Sequence, residues 1–250
     1  MTEEALIFTL VIVLMFFGLI LFFLARVRVG HRPDFRRIQA YEALRGFGSR
    51  SVEAGRPLHL SLGTGSMANE STADSMAGLS ILNYLADQAA ATGSQPMVSM
   101  ADPTVMLFAQ NAVKAAQNGD IPGTEAAFRN IRWIAPQPAA YGAGVMSLLS
   151  IDDVESNIMV GKFGDEYLLM GETAARREIA HVGGTSDPNT LPLVYVSAQE
   201  ALLGEEIYAG GAYLQKLPVH IGSLLAQDTM RWIVALTILG GVILATLGRS

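Results

Sequence analysis

The stretch from Ala5 to Ala25, ALIFTLVIVLMFFGLILFFLA, is 21 residues without a charge. About 20 apolar residues span the hydrocarbon core of a bilayer as a helix. A secretory signal has a basic start, a shorter apolar run and a small-residue cleavage site. This run instead follows Met-Thr-Glu-Glu and ends at Arg26, so residues 1–26 are expected to form an uncleaved transmembrane helix. A second run, WIVALTILGGVILATL from Trp232 to Leu247, lies between Arg231 and Arg249. Its interfacial Trp and flanking arginines fit a second transmembrane helix over residues 227–250. Thr237, Gly241 and Ala245 recur there every fourth residue, a spacing at which small side chains let membrane helices approach closely.

Orientation follows from the basic residues. Arg26, Arg28, Arg32, Arg36, Arg37, Arg45 and Arg50 all follow the first run, and none precedes it. Positive residues near a span stay in the cytoplasm. The expected arrangement is a two-pass protein of the cell (inner) membrane, with both termini outside and the main domain cytoplasmic. Residues 27–56 read as a basic, helix-prone juxtamembrane stalk.

Only 16% of residues are charged, against about 25% in a typical soluble domain. Cysteine is absent, which excludes disulfides, thiolate metal sites and a cysteine nucleophile. Pro57 to Met230 holds 7 Lys or Arg against 18 Asp or Glu. So acidic a body is a poor partner for nucleic acid.

That middle region, residues 57–226, alternates strands with helices. Strand patterns fall at 58–62, 96–101, 130–135 and 156–161, with a fifth expected at Leu191 to Ser197 and a helix from Ala198 to about Leu214. Between 163 and 184 a helix from Asp165, with Glu178 to Val182 then returning as a short strand, competes with a hairpin strand; the helix keeps the rhythm. Alternation of this kind implies a Rossmann-like α/β domain with a largely parallel sheet covered on both faces.

In such sheets ligands bind outside the carboxyl ends of the strands. Those ends supply Gly63, Thr64, Gly65 and Ser66, then Asp102 and Thr104, then Lys162, Gly164 and Asp165. GTGSMA lacks the third glycine of the dinucleotide fingerprint, and no Walker sequence occurs. Asp102, before Pro103, also reads as a helix cap. Catalytic residues are not apparent. There is no G-x-S-x-G elbow. His59 reads as a packed strand residue, and His31, His181 and His220 have no partner at metal-ligand spacing. No metal and no cofactor is expected.

The segments LHLSLGTGSMANESTADSMAGLSILNYLADQAA, PMVSMADPTVMLFAQNAVKAA, VGKFGDEYLLMGETA and ALLGEEIYAGGAYL resemble a family of uncharacterised bacterial membrane proteins associated with the Chloroflexota, classed as a domain of unknown function. The resemblance covers roughly residues 35–245. It implies a membrane-anchored α/β unit and transfers no reaction, cofactor or catalytic residue.

Two functions fit these observations. One is a non-catalytic homo-oligomeric scaffold or accessory subunit, a ring or dimer whose partners are the bilayer, further copies of the chain and other membrane proteins. The other is a membrane-tethered domain that binds a nucleotide or small acidic metabolite at the strand ends, as a sensor or an enzyme. The first requires a rim closed by side chains, the second an open polar cleft.

Overall fold

The computed structural model describes residues 3–31 and 33–247. Arg32, Gly248 and Arg249, which contribute to the flanks of the two apolar runs, lie outside the described residues. The chain divides into two compact units, Met1–Phe35 with Lys216–Ser250, and Arg36–Gln215.

The first apolar run forms α1 (Glu3–Arg28), long and apolar enough to cross a bilayer. The Arg36–Gln215 unit opens with α2 (Gln39–Ala54), which ends at Gly55 in the left-handed region, φ 64°, where glycine carries no Cβ penalty. α2 buries Ala40, Tyr41, Leu44 and Phe47. The Tyr41 hydroxyl donates to the Glu206 carbonyl at 2.6 Å. This part of the expected stalk is therefore a packed layer of the domain, because its amphipathic face has a sheet to cover.

The elements then run β1 (Leu58–Gly63), α3 (Thr72–Thr92), β2 (Met97–Met100), α4 (Pro103–Ala116), α5 (Ile121–Arg129), β3 (Ile131–Trp133), α6 (Pro138–Ile151), β4 (Ser156–Lys162), α7 (Glu166–Arg176), β5 (Ala180–Thr185), α8 (Leu191–Ser197) and β6 (Glu200–Leu203). A 3-10 turn at Gly204–Ala209 and a π turn at Gly211–Gln215 follow. The six strands pair in parallel in the order β3-β2-β1-β4-β5-β6. This is the doubly wound order, and its direction reverses between β1 and β4. The α/β expectation holds, and α7 decides between helix and hairpin in the helix's favour.

The end of the domain differs from expectation. Leu191–Ser197 is a helix and the strand comes after it, at Glu200–Leu203. Leu-Pro-Leu-Val-Tyr-Val has strand composition, but Pro192 stands in the first helical turn, where its missing N–H is harmless. Asp187 folds the preceding turn, accepting from the Asn189 N–H at 3.0 Å. α5 adds a helix where no element is expected; Asp120 caps it through the Gly123 N–H at 3.1 Å.

The core on the α6–α7 side gathers Met97, Tyr141, Val145, Met159, Phe163, Tyr167 and Met170. Across it runs a row of buried polar side chains, set by strand register: His59 pairs with Asn157, and Asn157 with His181. Burial lowers the His59 pKa to about 4, so the ring is neutral at pH 7. Asn157 Oδ1 can only accept, so His59 Nδ1–H donates to it at 2.6 Å. His59 Nε2 then accepts from the Ser99 hydroxyl at 2.9 Å, and Ser99 lies 3.1 Å from the Tyr141 hydroxyl. On the other side Asn157 Nδ2 lies 3.2 Å from His181 Nδ1, and His181 Nε2 lies 3.0 Å from the Tyr167 hydroxyl. His181 Nδ1 also lies 3.2 Å from the Asn157 carbonyl, to which it donates when protonated, with Nε2 then accepting from the Tyr167 hydroxyl.

The last element is α9 (Pro218–Leu247). It starts well before Trp232, so it carries Asp228 and Arg231 as well as the apolar run. α9 packs on α1. The close approach is at Gly222, where a Cβ would lie 3.0 Å from Leu24 N and 3.1 Å from Leu24 Cα. It is not at Thr237, Gly241 and Ala245, which are exposed, and a Cβ on Gly241 would meet open space.

The buried histidines make stability pH-dependent. Burial lowers His181 to about 4 as well as His59, whereas the unfolded residues titrate near 6.5. The unfolded chain therefore binds more protons between those values, and stability falls as pH drops through that window. Between the two values the slope should approach about 2.7 kcal/mol per pH unit, two protons' worth. Urea unfolding of the solubilised full chain from pH 7 to pH 4 measures it; a midpoint independent of pH would contradict the account.

Candidate functional site

The carboxyl ends of β1, β2, β4 and β5 bring the residues singled out from sequence to one rim. β1 ends in Gly63 at φ 77° and β4 carries Gly161 at φ 154°. A Cβ on Gly63 would overlap the Lys162 carbonyl oxygen, and one on Gly161 would overlap that of Leu62. The two backbones meet so closely because both residues lack side chains. The Thr64 N–H donates to the Lys162 carbonyl at 2.8 Å.

The glycine loop folds onto its own helix rather than around a cleft. A Cβ on Gly65 would stand 2.5 Å from Ser75 Oγ and 3.2 Å from Lys162 Cβ. The Ser66 N–H donates to Ser71 Oγ at 2.8 Å, and the Ser71 N–H to Asn69 Oδ1 at 2.9 Å. α3 begins only at Thr72, so its free N–H groups are set back from the strand end, unlike the arrangement that holds a pyrophosphate.

Asp102, Lys162 and Glu166 are engaged in the same way. Asp102 caps α4, accepting from the Thr104 N–H at 2.8 Å, from the Val105 N–H at 3.3 Å and from the Thr104 hydroxyl. Burial pushes the Asp102 carboxyl up, but those bonds and the Ser66 hydroxyl outweigh it and hold it below the usual carboxylate range. Lys162 pairs with Asp187. The Lys162 hydrogen bond, followed by the Asn189 N–H, holds Asp187 below its ordinary range. Glu166 is buried; its Oε1 accepts from the Gly164 N–H at 2.8 Å and lies 3.5 Å from the Thr64 hydroxyl. The Thr190 hydroxyl donates to the Phe163 carbonyl at 2.9 Å, and Trp133 Nε1 donates to the Ala101 carbonyl at 2.9 Å. Asp165 and Thr104 are exposed at the rim.

Thr64 and Gly164 therefore meet at Glu166, Gly63 and Thr64 meet the Lys162 backbone, and Ser66 meets Asp102. Sequence reasoning missed Glu166, Asp187 and Asp74. Asp74, 5% exposed, accepts from the Ser186 hydroxyl at 2.7 Å and the Tyr208 hydroxyl at 2.6 Å. The turn Asp187-Pro188-Asn189 was the available signal, once a strand is ended at Thr185. Among the described residues no group of His, Cys, Asp and Glu is placed to hold a metal ion.

The glycine junction yields a paired prediction. Gly63→Ala meets both left-handed strain and the Lys162 carbonyl, for about 2–5 kcal/mol of lost stability. Gly93→Ala has the same φ, 77°, but open space around it, so only about 1–2 kcal/mol of strain is expected. Urea unfolding of both variants tests this; equal losses would show that the close approach is not tight.

Neither curated proteins nor solved structures contain a match to this chain. A family model does match, from residue 1 to residue 250. The chain belongs to the family described as Domain of unknown function (DUF6754).

Proposed function

We propose that this protein is a membrane-anchored, homo-oligomeric scaffold or accessory subunit without catalysis. The observation that carries this is the closed rim. At the position where doubly wound domains hold ligands, Lys162, Asp102 and Glu166 all bind neighbours in the same chain. Polar groups already satisfied by the protein have little left to offer a substrate.

Other surfaces favour assembly. Leu107 (63% exposed) and Phe108 project from α4, with Trp133 on the adjoining edge strand β3. On the opposite side α7 exposes Leu168 and Leu169, and α8 exposes Tyr195 and Val196 (80%). Exposed apolar clusters of this kind mark interaction surfaces on soluble domains. α1 and α9 would anchor each copy in the bilayer, with the arginines after α1 keeping the Arg36–Gln215 unit in the cytoplasm. The acidic body argues against nucleic acid as a partner.

One observation favours the alternative, a nucleotide or acidic-metabolite site. The strand order reverses between β1 and β4, and Gly63, Gly65 and Lys162 stand at that switch point. A ligand there would have to displace Asp187 from Lys162 and open the Ser66–Ser71 loop.

Native mass spectrometry of the full chain in nanodiscs tests assembly. A discrete multiple of 26.7 kDa is expected. A bare monomer would overturn the scaffold reading and return attention to the rim.

A further inference from the structure

α1 ends in a turn that brings two polar side chains to one place. The Gly30 N–H donates to the Val27 carbonyl at 3.1 Å, and the His31 N–H to the Arg26 carbonyl at 3.3 Å. Gly30 stands at φ 104°. This is the hydrogen-bond pattern of a Schellman motif, which folds the chain back over the last helical turn. The two residues that its longer bond joins are frequently matched by an apolar side-chain contact. Here those residues are Arg26 and His31. Both are exposed, and among the described residues neither side chain has a hydrogen-bond or ion-pair partner.

Arg26 and His31 line a groove of about 400 Å³ together with Phe23, Pro33 and Leu225. That volume lies within the range of small-molecule sites, about 300–1,000 Å³. Both apolar helices build it. Gly222 lets α9 close on α1 at Leu24, and Leu225, one turn along α9, lines the groove with Phe23. No carboxylate is among the described lining residues. The groove therefore offers a guanidinium and an imidazole beside an aromatic and an aliphatic wall. Its level along α1 matters. Phe23 belongs to the Ala5–Ala25 apolar run and Arg26 comes just after it. With that run in the hydrocarbon core, the groove straddles the boundary between acyl chains and headgroups.

Resting on the membrane anchoring proposed above, we propose that this groove binds one anionic phospholipid. The Arg26 guanidinium takes two phosphate oxygens through paired N–H donors, the geometry that suits arginine to phosphate. A His31 ring N–H donates to the same group, and an acyl chain lies on Phe23 and Leu225. Basic pockets between membrane helices hold anionic headgroups in this way. Arg28 is two positions on from Arg26, so it leaves α1 on a different face, and it does not line the groove. Its part is the diffuse attraction of a basic flank to an anionic surface. Arg26 thus recognises a headgroup as well as marking the cytoplasmic side.

Native mass spectrometry of the full chain in non-ionic detergent, titrated with phosphatidylglycerol or phosphatidylcholine, reads the site. One phosphatidylglycerol per chain should be retained, roughly tenfold tighter than phosphatidylcholine, the ratio that about 1.4 kcal/mol represents. R26Q should weaken retention roughly tenfold. H31A should weaken it too, as should L225W, which fills the groove without changing charge. R28Q makes the same charge change outside the groove and should cost less than about twofold in salt that screens diffuse attraction. Equal losses in R26Q and R28Q would overturn the site. Glycerol phosphate carries the phosphate without acyl chains and should not compete at millimolar concentration; competition would assign the groove to a free phosphate compound and overturn the lipid. A chain that stays in membranes through an alkaline wash yet retains no phosphatidylglycerol would overturn this site and leave the anchoring standing. A chain released by the wash would remove both.

Discussion

β1 and β4 meet at a distance that only glycine permits, and the rest of the domain is arranged around that junction. Gly63 and Gly161 each face a carbonyl of the other strand. Gly78 of α3 sits on the same place from above, where a Cβ would stand 2.6 Å from the Val160 carbonyl oxygen and 2.8 Å from Leu62 Cδ2. In a dinucleotide-binding domain, glycines at the corresponding turn bring backbone close to a pyrophosphate and a helix close to the sheet. Here the helix packing is kept, while the loop between is filled by Ser66, Ser71 and Ser75 of the chain itself. The fold supplies the crevice, and local side chains close it.

The same sheet carries a second polar system that never reaches solvent. His59, Ser99, Asn157, His181, Tyr141 and Tyr167 are each at most 1% exposed, yet their polar atoms are paired across four strands and two helices. Polar groups in a core are tolerable only when satisfied. A one-residue slip of β4 against β1 or β5 would leave several of them unpaired at once. The row therefore selects strand register as well as contributing hydrogen bonds. Its neutral histidines are buried within the sheet, which suits a role in specifying the fold.

Local signals in the sequence were read correctly where local chemistry decides structure. Asp102-Pro103-Thr104 caps and starts α4, and the alternation of apolar strands with periodic helices implies the parallel sheet. One stretch departs from its expected element because context outweighs composition. Leu191 to Ser197 is rich in β-branched and aromatic residues, but Pro192 and the Asp187 turn start a helix that packs on α7 and β5. No element is expected from Ile121 to Arg129, where Asp120 caps a helix through the Gly123 N–H. The rim residues came from strand ends and were largely brought together; what occupies them was not legible. Glu166, Asp74 and Asp187 are adjacent to the others only through the sheet order, and no spacing in the chain records that Lys162 and Asp187 share a hydrogen bond.

The central claim is that the rim is satisfied from within and takes no small ligand. Thermal unfolding of the full chain in nanodiscs, against a panel of nucleotides and small acidic metabolites, tests it most directly. A ligand present at about a hundredfold over its dissociation constant stabilises a folded protein by about 2.7 kcal/mol. The account predicts no shift in the unfolding midpoint for any member of the panel. A shift with one ligand, abolished by Gly65→Val, would contradict it and identify the crevice between β1 and β4 as a binding site.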